Sequence, residues 1–379
     1  MRLTEHEGKA LLRRHGIAVP HGSLIHATDP VPIWQGRGVA KAQVLEGGRG
    51  KRGLVRLFEE GGIEAAVAGV RSAGATHVPL LIEEALPIAQ EFYLSLRIDG
   101  TGQGIGLLAS ATGGVEIEAA APPIALTFQA QDPHAGATIL AALGSGFPAG
   151  VAPRIARLVL RLAAVLVAED LELLEINPLA LLPDGRLVAA DAKCLRDEAA
   201  GFRHDPAETA VSTALEEALR TPLERRAAEA GFSLVELPAG RVALISAGAG
   251  LGMMLVDLLA DAGAPAACFM DNAQGGPAET TVQRLALAFE IAARPEVGAI
   301  LFCTTLASRP LKGRIQALAA ALRAAPPPKP LVVCIAAGHA ALAGYSMVEA
   351  EATLREVGVT ALFGEPLAAV AEAARLALA

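Results

Sequence analysis

From residue 240 onward, short runs of apolar residues alternate with longer stretches in which apolar residues recur at helical spacing. We interpret the short runs as five strands, at 241–246, 266–270, 298–303, 330–335 and 359–363. The longer stretches predict five helices, at 251–262, 279–293, 310–324, 346–356 and 366–378. Buried strands that alternate with helices predict an open parallel sheet with helices on both faces. Ligands of such sheets bind beyond the carboxyl ends of the strands.

The pattern before residue 196 is more varied and mixes helices with paired strands. Helical spacing predicts helices at 4–14, 62–73 and 153–168. Apolar runs predict strands at 38–44, 79–84, 90–98 and 104–110, and a hairpin at 172–193. Residues 196–240 are charged and largely helical, with an expected break at Pro222. We therefore place the linker at 225–238 and expect one domain over 1–228 and a second over 236–379.

The composition of the 379 residues excludes several classes of protein. Hydrophobic residues make up 53% of the chain and aromatic residues 3%, which suits two domains packed with small side chains. The net charge of −8 argues against nucleic acid as a partner, although a local positive pocket can still bind a small phosphate. The N-terminus lacks a signal-peptide core, and no apolar run predicts a membrane span. Four scattered cysteines, without a CxxC, are typical of a reduced cytoplasmic chain.

The first candidate site is a glycine-rich segment that follows the predicted strand 38–44. Lys41 lies on that strand, and the sequence GGRGKRG occupies 47–53. Glycines let the backbone approach a polyphosphate and donate N–H groups to it, while Lys41, Arg49 and Lys51 supply positive charge. The spacing is neither that of a P-loop nor that of a dinucleotide fingerprint. A flexible basic surface loop is the alternative interpretation.

The second candidate site is the predicted hairpin 172–193. If its turn has the three residues 183–185, Asn177 lies directly opposite Asp191 on one face of the strand pair. Amide and carboxylate oxygens at that separation suit Mg²⁺, which takes one or two protein ligands together with phosphate oxygens and water. A two-residue turn at 184–185 would slip the register and put these two side chains on opposite faces.

The same three-residue turn would place Glu175 opposite Lys193. One face of the hairpin would then carry two carboxylates, an amide and an ammonium group. The alternative interpretation is an edge hairpin with an ordinary salt bridge.

A third set of carboxylates lies near the predicted strand 79–84. Glu83 and Glu84 end that strand, and Glu91 follows eight residues after Glu83. Carboxylates at such positions can accept hydrogen bonds from an adenine amino group or from ribose hydroxyls. Strand ends also commonly carry solvated glutamates, so this signal is weak.

The fourth candidate is the segment SAGAGLG at 246–252, between a predicted strand and a predicted helix. It resembles a dinucleotide fingerprint, and Asp271 closes the next strand 19 residues after Gly252, near the position of a ribose-binding acid. Its third glycine, however, lies one position too early. What it shares with such sites is a helix N-terminus directed at an anion, which can be a pyrophosphate or a carboxylate.

Several motifs, in chain order, resemble the β subunit of succinyl-CoA synthetase and its relative malate–CoA ligase. The segments that carry the resemblance are EHEGKALLRRHGIAVP, VAKAQVLEGGRGKRG, LIEEALPIAQEFYLS, ATGGVEIE, LLEINPLALLPDGRLVAADAK and GAGLGMMLVDLLADAGAPAACFMD. The resemblance covers nearly the whole chain and is most specific in the first 195 residues. It implies an α/β protein with an ATP-grasp domain followed by a flavodoxin-like ligase domain.

The resemblance also implies roles for residues at matching positions. Those that would line the nucleotide are Lys41, Gly48, Arg49, Gly50, Glu83, Leu86 and Glu91. Asn177 and Asp191 would hold Mg²⁺, which favours the three-residue turn. Glu175 would be the catalytic residue that contacts a phosphohistidine. That histidine would belong to a separate α subunit, which also binds CoA.

The implied reaction joins a carboxylic acid to CoA at the expense of ATP or GTP and releases NDP and phosphate. It would pass through an acyl phosphate and a phosphohistidine, with Mg²⁺ and the basic loop offsetting charge on the transferred phosphoryl group. The chain would act in the cytoplasm and only together with the α subunit, without nucleic acid or membrane as a partner.

The second half departs from the family where the acid would bind. The candidate substrate residues are Ala247, Gly248, Leu306, Ala307 and Ser308. Ala247 stands where the family has the Asn of an Asn-Gly-Ala-Gly loop, and Cys334 aligns with the family's Arg at the end of a strand. The family's glycine pair is replaced near 303–308, and the family's glycine-rich turn reads NAQG at 272–275. Losing an amide, an arginine and close-approach glycines should weaken binding of a distal carboxylate. We therefore expect an acid other than succinate, either less polar or differently substituted.

Three other functions compete with this interpretation. A non-catalytic paralogue that binds nucleotide would explain the altered loops, although Lys41, Asn177 and Asp191 count against it. An NAD-binding oxidoreductase would use the Gly248 segment and Asp271. A single-chain ATP-grasp ligase would need a catalytic histidine, and none of the eight histidines lies in a convincing cluster.

Overall fold

The computed structural model describes residues 1–114, 122–144, 146–271, 278–306, 310–337 and 344–379. The chain divides into two compact units, Met1–Ala218 and Leu219–Ala379. Each unit buries its own apolar residues, as independent domains do. Within the described ranges, no helix has both the length and the apolar character that crossing a membrane requires.

The first unit mixes helices with antiparallel strands. Its elements are α1 (Glu5–Arg14), β1 (Gly22–Ile25), β2 (Gly38–Ala42), β3 (Val55–Phe58), α2 (Ile63–Ser72), β4 (Leu80–Glu84), β5 (Gln90–Asp99), β6 (Gly104–Ser110), β7 (Ile124–Phe128), α3 (Ala135–Leu143), α4 (Ala152–Ala168), β8 (Leu171–Leu181), β9 (Leu187–Ala189), β10 (Lys193–Arg196) and α5 (Ala210–Leu219). Two short 3-10 helices, Glu198–Arg203 and Pro206–Thr209, precede α5.

These strands form two sheets. The smaller sheet has the order β1-β4-β2-β3, and α2 packs against β2 and β3. The larger sheet has the order β10-β8-β5-β6-β7, with β9 paired to β8. Phe92, Leu94 and Leu96 of β5 are fully buried in the core that α4 covers. Because strand side chains alternate, Tyr93 and Ser95 belong to the opposite face of the larger sheet.

The second unit is a regular α/β layer structure. Its elements are α6 (Pro222–Glu229), β11 (Ser233–Glu236), β12 (Val242–Ala247), α7 (Ala249–Asp261), β13 (Ala266–Asp271), α8 (Ala278–Ala292), β14 (Ala299–Leu306), α9 (Leu311–Ala324), β15 (Leu331–Ala337), α10 (Met347–Arg355), β16 (Val359–Phe363) and α11 (Pro366–Leu378).

The sheet of the second unit has the order β11-β13-β12-β14-β15-β16. The five predicted strands pair in parallel, and β11 adds an antiparallel edge. Helices α7 and α11 cover one face, while α8, α9 and α10 cover the other. The open parallel sheet with helices on both faces is therefore confirmed.

The division between the units lies before the predicted linker. Helix α6 begins at Pro222, and Thr221 caps it by accepting a hydrogen bond from Glu224 N at 3.2 Å. Ala227 and Phe232 are buried in the core of the second unit. Residues expected to end the first domain thus pack with the second unit. Within the stretch expected to be a linker, the end of α6 covers 225–229 and β11 covers 233–236.

Glu7 fastens α1 to α5 inside the first unit. Glu7 is 5% exposed, and its side chain forms a capping box with Thr4 at the start of α1. The same carboxylate accepts hydrogen bonds from Val211 N at 2.9 Å and Ser212 N at 3.0 Å, in the first turn of α5. The N–H groups at the start of a helix lack partners within the helix. The buried side chain of Glu7 therefore satisfies such groups at the starts of two helices.

We expect Glu7→Ala to lower the free energy of unfolding of the first unit by about 2–4 kcal/mol, because several buried N–H groups lose their acceptor. Denaturant unfolding followed by the fluorescence of Trp34, the single tryptophan, measures this loss. Glu59→Ala is the control, because it removes a carboxylate that is 75% exposed and pairs with Arg37. Its effect should stay below about 1 kcal/mol. Equal losses in the two variants would contradict the role of Glu7.

Candidate functional site

The glycine-rich segment forms an exposed loop between β2 and β3. Gly48 has a φ of 74°, in the left-handed region that favours glycine. Among the described residues, no atom lies within 4 Å of a Cβ built at Gly47, Gly48 or Gly50. The backbone of this loop therefore borders open space, as an approach by phosphate requires.

Lys41 of β2 lies in a cluster of buried charges. Its Nζ contacts Glu5 Oε1 at 2.8 Å and Glu83 Oε1 at 2.5 Å. Lys9 Nζ contacts the same two carboxylates, at 2.6 Å and 2.8 Å. Both ammonium groups also donate to Ala190 O, at 3.0 Å from Lys41 and 2.7 Å from Lys9. Lys9 and Lys41 thus connect α1, β2 and β4 with the segment between β9 and β10.

Arg49 extends this cluster from the glycine-rich loop to Asp191. Its Nη1 contacts Glu5 Oε2 at 2.6 Å, and its Nη2 contacts Asp191 Oδ2 at 2.8 Å. Three carboxylates and three cations therefore balance one another. We call these six residues the ionic cluster: Glu5, Glu83, Asp191, Lys9, Lys41 and Arg49.

The ionic cluster holds its members in their charged forms. Burial disfavours the charge of Lys41, but the carboxylates of Glu5, Glu83 and Asp191 outweigh burial and raise the pKa of Lys41 above its usual value. Burial also disfavours the charge of Glu5, but Lys41, Lys9 and Arg49 outweigh it and lower the pKa of Glu5 well below its usual value. Lys41 therefore presents a fixed positive charge beneath the glycine-rich loop.

The hairpin formed by β8, β9 and β10 has the predicted register. Leu182 N donates to Arg186 O at 2.9 Å, which leaves the three residues 183–185 in the turn. Farther along, Glu175 pairs with Lys193. The three-residue turn is confirmed, and the slipped register of a two-residue turn is excluded.

The pairs on either side, Glu175 with Lys193 and Leu179 with Ala189, put Asn177 and Asp191 at opposing positions, and each accepts hydrogen bonds. Asn177 Oδ1 accepts from Gly114 N at 2.7 Å. Asp191 accepts from Arg49 Nη2 at 2.8 Å and from Ala192 N at 2.7 Å. An amide oxygen and a carboxylate both have further lone pairs, and hard oxygen atoms are the ligands that Mg²⁺ prefers. These two residues therefore fit a magnesium site.

Glu83 and Glu91, the carboxylates expected near the nucleotide, differ in how deeply they are buried. Glu83 is 1% exposed, and both of its oxygens contact Lys9 Nζ at 2.8 Å, so its charge is used inside the ionic cluster. Glu91 is partly exposed at the start of β5, and a Cβ built on Gly114 would lie 2.6 Å from its Oε2. Leu86 packs against apolar residues of β8 and β9. Leu86 and Glu91 thus border the hairpin, while Glu83 lies in the interior.

Glu175 lies on the face of the larger sheet opposite the core. Tyr93 donates to its Oε2 at 3.5 Å, and Lys193 is its partner across the strands. Burial, together with the Glu175 carboxylate, raises the pKa of the Tyr93 hydroxyl. Glu175 therefore presents a partly exposed carboxylate beside a phenol that stays protonated at neutral pH.

Three candidate substrate residues are described, Ala247, Gly248 and Leu306, and they lie at the carboxyl ends of parallel strands. Gly248 starts α7 with a φ of 110°, and its N–H donates to Asp271 Oδ1 at 2.9 Å. The carboxylate of Asp271 therefore accepts a hydrogen bond from the loop that was predicted to bind an anion. Ala247 ends β12 and Leu306 ends β14, while Ala307 and Ser308 lie outside the described residues, as do residues 272–275.

Cys334 occupies the position that corresponds to the arginine of the resembled family. It is fully buried in β15, and its register partner is Cys303 of β14. A buried thiol at this point of the sheet cannot replace the charge or the bidentate geometry of a guanidinium group.

Sequence reasoning missed two members of the ionic cluster, Glu5 and Lys9. Both lie on the buried face of α1 together with Leu12, which is fully buried. Charged residues four apart, on the stripe that carries the apolar residues, are the signal that could have identified them.

Comparisons with known proteins agree with this architecture. A sequence model described as an ATP-grasp domain matches residues 2–181. The ADP-forming succinate–CoA ligase subunit beta 2 of Streptomyces coelicolor is 36% identical over 312 residues, which cover 79% of this chain and 79% of the relative. The ADP-forming subunit beta of Chloroflexus aggregans is 34% identical over 379 residues, which cover 94% and 96% of the two chains.

A solved structure shares the fold of the whole chain. ATP citrate lyase from Methanothrix soehngenii, in complex with citrate and coenzyme A, matches with a TM-score of 0.70 at 19% identity, over 100% of this chain and 99% of that chain. The predicted fold, an ATP-grasp domain followed by a domain with a mostly parallel sheet, is therefore confirmed.

We expect Lys9→Met to lower the free energy of unfolding of the first unit by about 3–5 kcal/mol, because Glu5 and Glu83 would stay buried with one cation fewer. Lys51→Met, which removes an exposed lysine of the glycine-rich loop, is the control and should change it by less than about 1 kcal/mol. Trp34 fluorescence in denaturant measures both. A loss below about 1 kcal/mol for Lys9→Met would show that the ionic cluster does not stabilise the unit.

The lowered pKa of Glu5 predicts a specific dependence on pH. Because its pKa is lower in the folded state than in the unfolded state, its contribution is present above the ordinary value of 4.5 and is lost as pH falls toward the folded pKa. The native chain should therefore be more stable than Glu5→Gln at pH 7, and the difference should shrink below about pH 4.5. Urea unfolding of both proteins at several pH values tests this, and a constant difference would refute it.

Proposed function

This chain belongs to the family of succinate–CoA ligase β subunits, and from that premise we propose that it is the nucleotide-binding β subunit of an NDP-forming carboxylate–CoA ligase. The proposed reaction converts a carboxylic acid, CoA and NTP into an acyl-CoA, NDP and phosphate. The observation that carries the proposal is the ionic cluster beneath the open glycine-rich loop, beside a hairpin whose register sets Asn177 against Asp191.

We assign the nucleotide to the space between the glycine-rich loop and the open face of the larger sheet. Backbone N–H groups at Gly48 and Gly50 would donate to phosphate oxygens, and Lys41 would supply a positive charge that does not titrate near neutral pH. Leu86 and Glu91 would contact the base and ribose. Glu83 would act indirectly, because its carboxylate holds the ammonium group of Lys41 in place.

Asn177 and Asp191 would hold Mg²⁺, which neutralises charge on the phosphate oxygens when it is bound. Asp191 also orients Arg49, so the same carboxylate would link the metal to the glycine-rich loop. Asn177 is held against the backbone of Gly114, which fixes the direction of its amide oxygen. The contribution of these residues to catalysis is positioning and electrostatic stabilisation.

The proposal requires an α subunit that carries a phosphohistidine and binds CoA. Glu175 would contact that histidine, because it is a partly exposed carboxylate on the open face of the larger sheet. A carboxylate can accept a hydrogen bond from an imidazole and orient it for phosphoryl transfer. We also propose a cytoplasmic location, since the four cysteines are all free and buried.

We further propose that the acid is not succinate itself. Ala247 and Cys334 stand where the family has an amide and an arginine, and a methyl group and a buried thiol make much weaker contacts with a carboxylate. A nucleotide-binding paralogue without an acyl substrate is the second candidate, and these same two replacements are what favours it.

Transfer of the γ-phosphoryl group of radiolabelled ATP or GTP to the co-expressed α partner tests the nucleotide site. We expect Asp191→Asn to slow this transfer about 100-fold, because a metal ligand and the partner of Arg49 are lost together. Asp184→Asn, an exposed carboxylate at the tip of the same hairpin, is the control and should transfer at the native rate. Native transfer in Asp191→Asn would contradict the assignment.

A panel of carboxylic acids tests the substrate proposal. We expect kcat/KM for succinate to be at least about tenfold below that of the best acid, since each lost charged hydrogen bond costs about 1.5–3 kcal/mol. NDP release by the purified α–β pair, with CoA present, measures it. Succinate as the best acid would refute the substrate proposal. Phosphoryl transfer to the α subunit that no acid converts into steady NDP release and acyl-CoA would favour the paralogue.

A further inference from the structure

Strand β8 has a bulge opposite Tyr93. In the pairing of β5 with β8, Leu94 pairs with Ile176, whereas Phe92 pairs with Leu179. Two residues of β8 therefore lie opposite the single residue Tyr93. Ile176 and Leu179 are both fully buried in the same core although they are three positions apart, which a regular strand does not allow. Bulges of this kind often lie next to active sites, where they redirect side chains.

The two bulged residues are Asn177 and Pro178, so the bulge adjoins two groups of the proposed site. Asn177 is the residue assigned to Mg²⁺, and Glu175, two positions earlier on β8, is the residue assigned to the histidine. The Tyr93 hydroxyl donates to Glu175 Oε2 at 3.5 Å. Tyr93 therefore contacts the second of these groups from the strand position opposite the first.

A second residue of β5 lies beside the same carboxylate. Ser95 is the register partner of Glu175 and is 6% exposed. Its side chain also interacts with the Tyr93 hydroxyl. Hydrogen bonds between catalytic groups are often long before the reacting partner binds, and they shorten in the complex. Tyr93 and Ser95 thus define the side of Glu175 that faces β5.

Only one oxygen atom of Glu175 is used in this way. Among the described residues, Oε2 accepts the hydrogen bond of Tyr93, and Oε1 has no donor. Each oxygen of a carboxylate can accept hydrogen bonds. Oε1 of this partly exposed side chain is therefore available to a group from outside the chain.

The Tyr93 hydroxyl stays a donor throughout the neutral pH range. Burial and the negative charge of Glu175 raise the pKa of Tyr93 above its usual value, and they outweigh the opposite effect of Ser95. A phenol with a raised pKa keeps its proton at pH 7. The hydrogen bond to Glu175 therefore does not depend on the titration of its donor near neutral pH.

We propose that Tyr93 is a positioning residue that directs the Glu175 carboxylate toward the histidine of the α subunit. This inference rests on the proposed function, in which Glu175 contacts that histidine. With Oε2 held by Tyr93, Oε1 accepts the hydrogen bond of the imidazole ring and keeps the ring aligned for phosphoryl transfer. Tyr93 acts on the reaction only through this carboxylate and does not touch the transferred group.

Single-turnover transfer of the γ-phosphoryl group to the co-expressed α subunit tests this role. We expect Tyr93→Phe to slow the transfer at least about tenfold, because a hydrogen bond to a charged group is lost. KM for NTP should stay at the native value. Tyr345→Phe is the matched control, because it removes a hydroxyl that bonds to Thr353 in the second unit, and it should transfer at the native rate. A native rate in Tyr93→Phe, or a raised KM for NTP as its only effect, would overturn the inference.

A double-mutant cycle separates positioning from a general structural effect. Because Tyr93 acts through Glu175, Tyr93→Phe should cause no further loss of transfer rate in a Glu175→Gln background. The same loss in both backgrounds would show that Tyr93 acts independently of Glu175, which would contradict the inference.

A titration of the phenol tests the contact without turnover and without replacing Tyr93. The chain has two tyrosines, so in Tyr345→Phe the ultraviolet absorbance of phenolate reports Tyr93 alone. Adding Glu175→Gln should lower the pKa of Tyr93, because the negative charge that raises it is gone. An unchanged titration would show that the two side chains do not interact and would overturn the inference.

The outcomes also separate this inference from the proposed function. A native chain that transfers no phosphoryl group would refute the proposed function, and the role of Tyr93 in the reaction would fall with it. Native transfer that Tyr93→Phe leaves unchanged would refute the role of Tyr93 alone.

Discussion

Two lysines buried between the same two carboxylates are the interaction on which the first unit depends. Lys9 comes from a helix and Lys41 from a strand, yet both contact Glu5 and Glu83. Water screens these charges little, so each ion needs its partners far more than it would at the surface. Because Ala190 O accepts from both lysines, the same contacts fix the hairpin relative to the glycine-rich loop. The phosphate-facing end of the unit is therefore held by charge balance rather than by apolar packing alone.

Periodicity predicted the long elements well because each of them has a continuous apolar face. Among the described strands, those that it missed include β1, β3, β7 and β11, and each of these lies at the edge of a sheet. An edge strand is short, pairs on one side and leaves much of its length to solvent, as the exposed positions of β1 and β3 illustrate. Its sequence therefore carries neither a buried run nor a strict alternation, and local pattern reasoning has little to detect.

The sequence predicted those parts of the candidate site that depend on residues near one another in the chain. The hairpin register was predicted for a turn at 183–185, which the family resemblance favoured over a turn at 184–185, and Gly185 adopts a φ of 86° in that turn. The inward direction of Glu83 did not follow from the sequence, because its partner Lys9 lies 74 residues earlier in the chain. A strand-end glutamate looks the same whether it faces a ligand or an ammonium group in the interior.

The bond between Glu7 and the start of α5 has a consequence for biosynthesis. Helix α1 is made long before α5, but the N–H groups that the Glu7 carboxylate satisfies belong to residues 204 and 205 positions later. Leu3 and Met1 likewise bond to the backbone of β10, near the end of the unit. While the ribosome is still adding residues, α1 has no complete docking site, and long-range contacts of this kind are slow to form. The nascent first unit therefore closes only after nearly all of it has left the ribosome.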